Sequence, residues 1–379
     1  MTHRIALALL LTAAVSAHAV QDCDIAGQHV NPANGNTTAG KTGLMRCKDR
    51  DTGQLQREQE LQDGKFMGLV RFYDHGQLSK EYSVNERGNR HGRSREFAPG
   101  GQVIVDINYA NGDETGMARR FHTNGQLRRA SFYNDGEKAH AEFNDRGQLS
   151  QLRCSDKPLL APVVDDAKLC GFAGTASQFE LFDSRGSLSS RNSYLAGQRV
   201  RYEQLYDDGK TQLLQENGPA RQIERQFSRD GVKRRDTERT LDGKTVTAMR
   251  LQQFSETGTL VRDQRWAAGR QASDTSFYLN GQPKTRQEWG GSGTASWIDE
   301  TDYRDDGSVA STGRYLEPGR GRRQATGTHK VFNAAGKVVA EAEYDARGRI
   351  ARERAWDDGG TLVRDDAVFE DGSRKAFAR

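Results

Sequence analysis

The chain repeats one seven-residue motif along most of its length. The motif is an aromatic residue, three turn-forming residues, glycine, any residue, and then Leu, Val or Ile. The copies are FYDHGQL at 72–78, FAPGGQV at 97–103, FHTNGQL at 121–127, FNDRGQL at 143–149, FDSRGSL at 182–188, FSETGTL at 254–260, YRDDGSV at 303–309, FNAAGKV at 332–338, YDARGRI at 344–350 and WDDGGTL at 356–362, with degraded copies at 227–233 and 277–283. Such a period indicates units that bury an apolar face only by stacking on their neighbours.

A second set of glycines lies between the motif copies of the N-terminal half. The motif glycines stand at 53, 76, 101, 125 and 147, and the second set, mostly close behind Asn or Asp, stands at 64, 88, 112 and 136. Asn-Gly and Asp-Gly are strong hairpin signals because both residues of the tight turn need positive φ. Each period of 22–25 residues therefore predicts two turns and two short strands. The sequence predicts an all-β fold: an elongated antiparallel sheet of tandem β-hairpin repeats.

The composition agrees with this fold class. The 379 residues include 41 glycines, 7 prolines, and 15 Phe, 11 Tyr and 4 Trp, at a net charge of +4. A disordered chain has few aromatics and a high net charge, so disorder is excluded. Each glycine inside a helix costs about 1 kcal/mol, so long helices and a doubly wound nucleotide-binding fold are also excluded.

The repeat is interrupted once, between the motif glycines at 147 and 186. We therefore predict an N-terminal cap at 20–44, one array at 45–152, a connector at 153–170 and a second array at 171–379. Four cysteines allow three pairings. Proximity favours Cys23–Cys47 and Cys154–Cys170, the second of which would close the connector.

The first 19 residues are typical of an export signal. Arg4 precedes an apolar run at 5–15, and Ala17-His18-Ala19 fits the small-x-small cleavage rule. That run is shorter than the ~20 residues of a membrane span, so no membrane span is predicted. A lipid anchor at Cys23 is disfavoured because the preceding residues are not small and apolar. We expect a periplasmic or secreted protein after cleavage near Ala19.

The alternation of aromatic-x3-Gly-x-Leu with Asn/Asp-Gly resembles the bacterial variant of the MORN repeat over 45–150 and 171–379. That resemblance implies an elongated sheet of hairpins without catalytic residues. It also implies an antitoxin-like role, since some exported repeat proteins of this kind act as immunity proteins against interbacterial effectors. YDARGRI at 344–350 also resembles the tyrosine–aspartate repeats of large toxin shells, which is the second fold-level interpretation.

Chemical motifs point away from catalysis. Residues 35–42 match the phosphate-loop pattern G-x4-G-K-[ST], but no apolar strand precedes them, so we expect no nucleotide site at Lys41. No G-x-S-x-G, H-E-x-x-H or C-x2-C occurs, and acidic residues recur in turn positions, as in Asp207-Asp208-Gly209 and Asp305-Asp306-Gly307, with no pair singled out. We expect no enzyme activity, no cofactor and no metal. The 56 basic and 52 acidic residues interleave, which argues against nucleic acid as a partner.

Two irregular segments of the C-terminal array contain the candidate partner-binding residues. Trp289 and Trp297 flank a Gly/Ser-rich loop, and tryptophan is enriched at interface hot spots. Arg320, Arg322 and Arg323 form the densest basic segment, inside the 29-residue spacing between the motif glycines Gly307 and Gly336. We expect a non-catalytic protein that binds a protein partner, most specifically an immunity protein that occludes a toxic effector. The alternative is an envelope module that binds carbohydrate or lipid.

Overall fold

The structure, a computed structural model, describes residues 21–317 and 322–378, and its regular structure is almost entirely β-strand. The strands are β1 (Gln21–Ile25), β2 (Gln28–Val30), β3 (Gly43–Asp49), β4 (Leu55–Gln62), β5 (Lys65–Asp74), β6 (Gln77–Val84), β7 (Arg90–Phe97), β8 (Val103–Ala110), β9 (Asp113–Phe121), β10 (Leu127–Tyr133), β11 (Glu137–Phe143), β12 (Leu149–Arg153), β13 (Phe179–Phe182), β14 (Leu188–Leu195), β15 (Gln198–Leu205), β16 (Thr211–Asn217), β17 (Arg221–Phe227), β18 (Lys233–Asp242), β19 (Thr245–Phe254), β20 (Leu260–Ala267), β21 (Arg270–Phe277), β22 (Pro283–Gly290), β23 (Trp297–Tyr303), β24 (Val309–Leu316), β25 (Gln324–Phe332), β26 (Val338–Tyr344), β27 (Ile350–Trp356), β28 (Leu362–Val368) and β29 (Arg374–Ala378). The helices are single turns: α1 (Gly35–Thr38), α2 (Asp166–Leu169) and a 3-10 turn at Gly293–Ala295.

These strands form two antiparallel sheets, which confirms the all-β hairpin fold. The N-terminal sheet has twelve strands, and the C-terminal sheet has seventeen strands in strict chain order from β13 to β29. The chain divides into two compact units after Ala167.

The segment at 20–44, predicted to be a loop-rich cap, contains two strands of the N-terminal sheet. β1 lies between β2 and β3, so β2 is the edge strand. The Cys23–Cys47 disulfide joins directly paired residues of β1 and β3. Both cysteines lie in a small apolar core with Ile25, Val30, Met45 and Leu61. Cys154 and Cys170 form the second disulfide, so both predicted pairs are confirmed.

The repeated motif forms a turn with a fixed hydrogen-bond pattern. In the copy at 332–338, the Asn333 amide donates to the Lys337 carbonyl at 2.8 Å, and the Gly336 amide donates to the Asn333 carbonyl at 3.0 Å. The Asn333 side-chain oxygen accepts from two amides of the turn, both at 3.0 Å. The aromatic residue pairs across the turn with the residue two positions after the glycine, where the register shifts. This explains the Asn, Asp and Ser residues of the motif: their side chains satisfy backbone amides.

The second kind of turn has two residues, both with positive φ, as the Asn-Gly and Asp-Gly pairs predict. The first residue of the pair is Ala26, Asp63, His75, Asn111, Asp135, Ala196 or Ala268, and glycine follows each of them. The assignment of Gly76 to the long motif is wrong. Asp74 pairs with Gln77, and Tyr73 rather than Phe72 pairs with Leu78. Gly76 therefore closes a two-residue turn and not the longer turn of the motif. Gly88 instead closes a long turn that begins at Asn85.

One cross-strand row of the N-terminal sheet alternates in charge. Its members are directly paired neighbours on β3 to β9: Arg46, Glu58, Arg71, Glu81, Arg95, Asp106 and Arg119. The carboxylates are 8–10% exposed, and the arginines are 34–57% exposed. We call this row the charge ladder. Opposite charges placed directly across strands stabilise a sheet. The charge ladder therefore adds to the stability that the small apolar core gives the N-terminal sheet.

Candidate binding site on the C-terminal sheet

The two loops singled out from the sequence lie at the same ends of their strands. In a sheet of strands in chain order, alternate connections fall on the same side. The motif turns with glycines at 186, 231, 258, 281, 307, 336 and 360 connect an odd-numbered strand to the next even-numbered one, and only the copy with Gly348, among the copies identified above, connects an even-numbered strand to an odd-numbered one. The loop between β22 and β23 and the connection between β24 and β25 lie at the opposite strand ends. The Glu317 amide donates to the Ser296 carbonyl at 3.0 Å and joins the two.

The two tryptophans face opposite sides of the sheet. Trp289 pairs with Ile298, and Gly290 pairs with Trp297. Because successive side chains of a strand point to opposite faces, Trp289 shares a face with Ile298 and Trp297 lies on the other. The two tryptophans therefore lie at the same strand end but on opposite faces.

Trp297 is held on its face by an arginine and a glycine. The Arg314 guanidinium lies 4.3 Å from the centroid of the Trp297 ring, and Arg314 pairs with Asp299 through two bonds of 2.6 and 2.8 Å. A Cβ at Gly290 would come 2.2 Å from the indole, so the ring lies flat over Gly290. These contacts give Trp297 a structural role.

The predicted basic residues are only partly described. Arg320 lies outside the described residues. Arg322 is exposed. The Arg323 guanidinium bonds to Glu300 Oε2 at 3.0 Å and lies 6.0 Å from the Tyr315 ring, on the same face as Trp289. Of the predicted residues, Trp289 and Arg323 thus share a face.

That face carries an open depression of about 400 Å³, which the sequence interpretation missed. Its floor consists of small residues on β24 to β27, and its aromatic wall is formed by Tyr315, His329 and Tyr344. We call it the Tyr315 depression. The floor residues are Gly313, Ala340, Ala342 and Ala355. A sheet position filled by Gly or Ala leaves space that a longer side chain would occupy.

His329 is fixed in this wall by its neighbours. Its ring lies 5.0 Å from Tyr315 and 4.5 Å from Tyr344, measured between ring centroids. Its Nε2 lies 2.9 Å from the Arg314 carbonyl oxygen. A Cβ at Gly313 would come 2.7 Å from the imidazole, so the ring lies over Gly313. Thr312 pairs with Lys330 and Arg314 with Thr326, so the three residues at 327–329 lie opposite the single residue Gly313. This bulge places the His329 imidazole over Gly313.

Carboxylates and cations both line the depression. Burial, together with the negative charges of Glu300 and Asp302, raises the pKa of Tyr315. Four carboxylates of this face lie in or beside the depression: Glu300, Asp302, Glu353 and Asp366. Three arginines of the same face bind Glu300, Glu353 and Asp366: Arg323, Arg364 and Arg374. Asp302 instead accepts from the hydroxyls of Thr285 and Ser311.

The residues that match the phosphate-loop pattern, 35–42, make hydrogen bonds to neighbouring parts of the N-terminal unit. Residues 35–38 are a single helical turn, and Lys41 Nζ bonds to Gln28 Oε1 at 2.6 Å. The Thr42 hydroxyl accepts from the Asp63 amide.

In the part of the chain that the structure describes, no group of three or more His, Cys, Asp or Glu side chains is placed to hold a metal ion. No helix of the described ranges is long and apolar enough to cross a membrane.

Comparisons with known proteins assign no family. No family model matches the chain, and no curated protein matches it. Among solved structures, the chain is similar to TcdB2-TccC3-TEV at 10% identity, covering 89% of this chain and 20% of that one, with a TM-score of 0.18. The Photorhabdus luminescens Tc holotoxin pore matches at 14% identity over 92% of this chain and 20% of that one, with a TM-score of 0.16. The chain thus spans about a fifth of these toxin chains. A eukaryotic initiation factor matches at 11% identity over 89% and 88% of the two chains, with a TM-score of 0.17.

Proposed function

We propose that this chain is a non-catalytic binding protein whose C-terminal sheet docks a protein partner. The Tyr315 depression carries the proposal, because it combines aromatic rings, carboxylates and a floor of small residues on one open face. Aromatic anchors and pockets at the centre of a contact surface contribute most of the energy of protein–protein binding. Trp289 and Arg323 extend the same face toward the loops.

Within that class, the specific proposal is an immunity protein that binds a toxic effector outside the cytoplasm and occludes its active site. Two disulfides support an oxidising compartment. The resemblance of the repeats to the MORN variant supports the antitoxin-like role. Occlusion needs only a large complementary surface, about 800 Å² from each partner, and no catalytic group.

Co-purification and neutralisation test this function. The exported protein, tagged at its C-terminus, is purified from its native host after mild crosslinking, and we expect a stoichiometric protein partner. The gene for that partner is then expressed with an export signal in a sensitive host. Co-expression of this chain should restore viability, whereas a variant that is folded but does not bind should not.

The envelope-module alternative makes the opposite prediction. Retention of the purified chain on isolated cell wall or on liposomes, without a stoichiometric protein partner, would replace the immunity proposal. Aromatic side chains beside carboxylates are also compatible with a sugar, so this assay is run in parallel.

A further inference from the structure

One row of side chains crosses five strands of the depression. Pairing places Glu300 opposite Gly313, His329 opposite Ala342, and Ala342 opposite Glu353. The imidazole lies over Gly313 and fills that position. The space over Ala342 stays open, between His329 on β25 and Glu353 on β27, whose backbones are two strand spacings or about 9.6 Å apart. We call this space the Ala342 slot.

The wall of the slot at His329 is the imidazole ring, whose two nitrogens lie on the side of β24. Nε2 contacts the Arg314 carbonyl oxygen, which only accepts, so the ring proton lies on Nε2. Nδ1 is the ring atom nearest Gly313, 2.7 Å from the position of a Cβ there. The ring itself therefore borders the space over Ala342.

The wall at Glu353 is a hydrogen-bond acceptor. Arg364 and Arg374 both bind Glu353 through Oε2. Oε1 is left without a bonded partner in the described ranges. The Glu353 side chain is 19% exposed, so a ligand that binds Oε1 does so in a partly desolvated setting, where charged hydrogen bonds are stronger.

Tyr344 closes one end of the slot. Its ring contacts His329, and an aromatic face attracts a cation within about 6 Å. The groups that the slot presents are therefore an oxygen of the Glu353 carboxylate and two aromatic rings. These groups favour a ligand that is a donor and a cation.

We propose that the Ala342 slot receives a basic side chain, arginine or lysine, of the protein partner. This inference rests on the proposed function for the identity of the partner, and it names the chemistry that the partner presents. The head group donates to Glu353 Oε1 and lies against the rings of His329 and Tyr344. A neutral sugar would need donors from the protein as well, and the arginines of this face already bind carboxylates.

The first test uses the isolated full-length protein and small probes. The protein is labelled with ¹³C-histidine, and His329→Gln assigns the His329 resonance. Nα-acetyl-arginine N-methylamide should shift that resonance in a saturable way, and the neutral citrulline analogue should bind at least tenfold more weakly. Equal effects of the two probes, or tighter binding of a chito-oligosaccharide, would overturn the proposal, and the second result would favour the sugar-binding alternative.

Variants locate the effect. Ala342→Leu fills the slot, and Glu353→Gln keeps its shape while removing the charge, so both should weaken binding of the arginine probe at least tenfold. Glu343→Gln is the matched control: Glu343 also pairs with an arginine, Arg354, but lies on the opposite face, and this change should have no effect. Tryptophan fluorescence checks that the C-terminal sheet is folded, and Glu353→Gln keeps the test decisive should Ala342→Leu not fold.

The two proposals can fail separately. A captured partner that binds Glu353→Gln as tightly as wild type would refute the slot and leave the immunity function standing. Arginine-specific binding to the slot, with no protein partner and no neutralisation, would refute the function and leave the slot chemistry standing.

Discussion

Asp106 provides the sharpest test of the charge ladder. Its carboxylate is 8% exposed and takes two bonds from Arg93, at 2.7 and 3.0 Å, and one from Arg119 at 2.6 Å. The hydrogen bonds from Arg93 hold the pKa of Asp106 below its usual range, against the opposing effect of burial. The Asp106→Asn change keeps the shape of the side chain and removes its charge.

The expected loss of stability is about 2 kcal/mol. Hydrogen bonds to a charged group contribute ~1.5–3 kcal/mol each, but the two arginines are 55% and 41% exposed, so solvent screening reduces that contribution. A carboxylate with a lowered pKa stabilises the fold above its unfolded pKa of about 3.9 and loses that effect as the pH falls through the folded value. The difference between wild type and variant should therefore shrink below about pH 4.

Hydrogen exchange is the suitable assay because it separates the two sheets. All four tryptophans lie at 266–356, so tryptophan fluorescence reports only on the C-terminal sheet. Exchange of peptides that cover β7 to β9 should accelerate about 30-fold for a loss of 2 kcal/mol.

Asp299→Asn in the C-terminal sheet is the matched control. Asp299 has the same two-bond geometry with Arg314, but it is 38% exposed, and its loss should cost less than about 1 kcal/mol, below about fivefold in exchange. The reasoning fails if Asp106→Asn accelerates exchange no more than Asp299→Asn, or if its effect is as large at pH 3 as at pH 7.

Three further predictions follow from single side chains. Burial opposes ionisation of Glu137, but hydrogen bonds from Arg129 and Ser131 outweigh it and hold its pKa at about 2, so this carboxylate stabilises the N-terminal sheet above about pH 4.5. That stabilisation, about 3 kcal/mol, is lost toward pH 2, and Glu137→Gln should flatten acid unfolding in that window, as far-ultraviolet circular dichroism measures. Trp289→Ala should weaken partner binding by about 2 kcal/mol without loss of folding, whereas Trp297→Ala should mainly lower the unfolding temperature of the C-terminal sheet. Lys41→Ala should leave ATP binding, measured by calorimetry, undetectable as in wild type.

The hairpin fold could be predicted because its signals are local. Many turns are specified within seven residues, by an Asn, Asp or Ser side chain that accepts from backbone amides and by a glycine with positive φ. Both disulfides could be predicted because each joins cysteines close in sequence. The signal peptide and the secreted location stay predictions, since residues 1–20 lie outside the described ranges.

The faces of the strands could not be predicted from the motif. Each motif turn shifts the register at its aromatic residue, and one residue of shift moves a side chain to the other face. The sequence shows that Trp289 and Trp297 flank one loop, but it assigns neither of them to a face. The charge ladder was missed for the same reason, since Arg71 and Glu81 become partners only once the register of β5 and β6 is known.

The depression nevertheless has a signal in the sequence, in glycines that belong to no turn. Gly290 and Gly313 lie inside strands, outside the motif, and neither is among the residues with positive φ. Each instead lies under a ring from the next strand, Trp297 over Gly290 and His329 over Gly313. Only glycine fits at these positions, because any Cβ would collide with the ring. A turn glycine is explained by its own backbone, whereas a strand glycine of this kind is explained only by a neighbour. Strand glycines without positive φ therefore indicate where an aromatic side chain crosses the backbone and where the regular filling of the sheet face is interrupted.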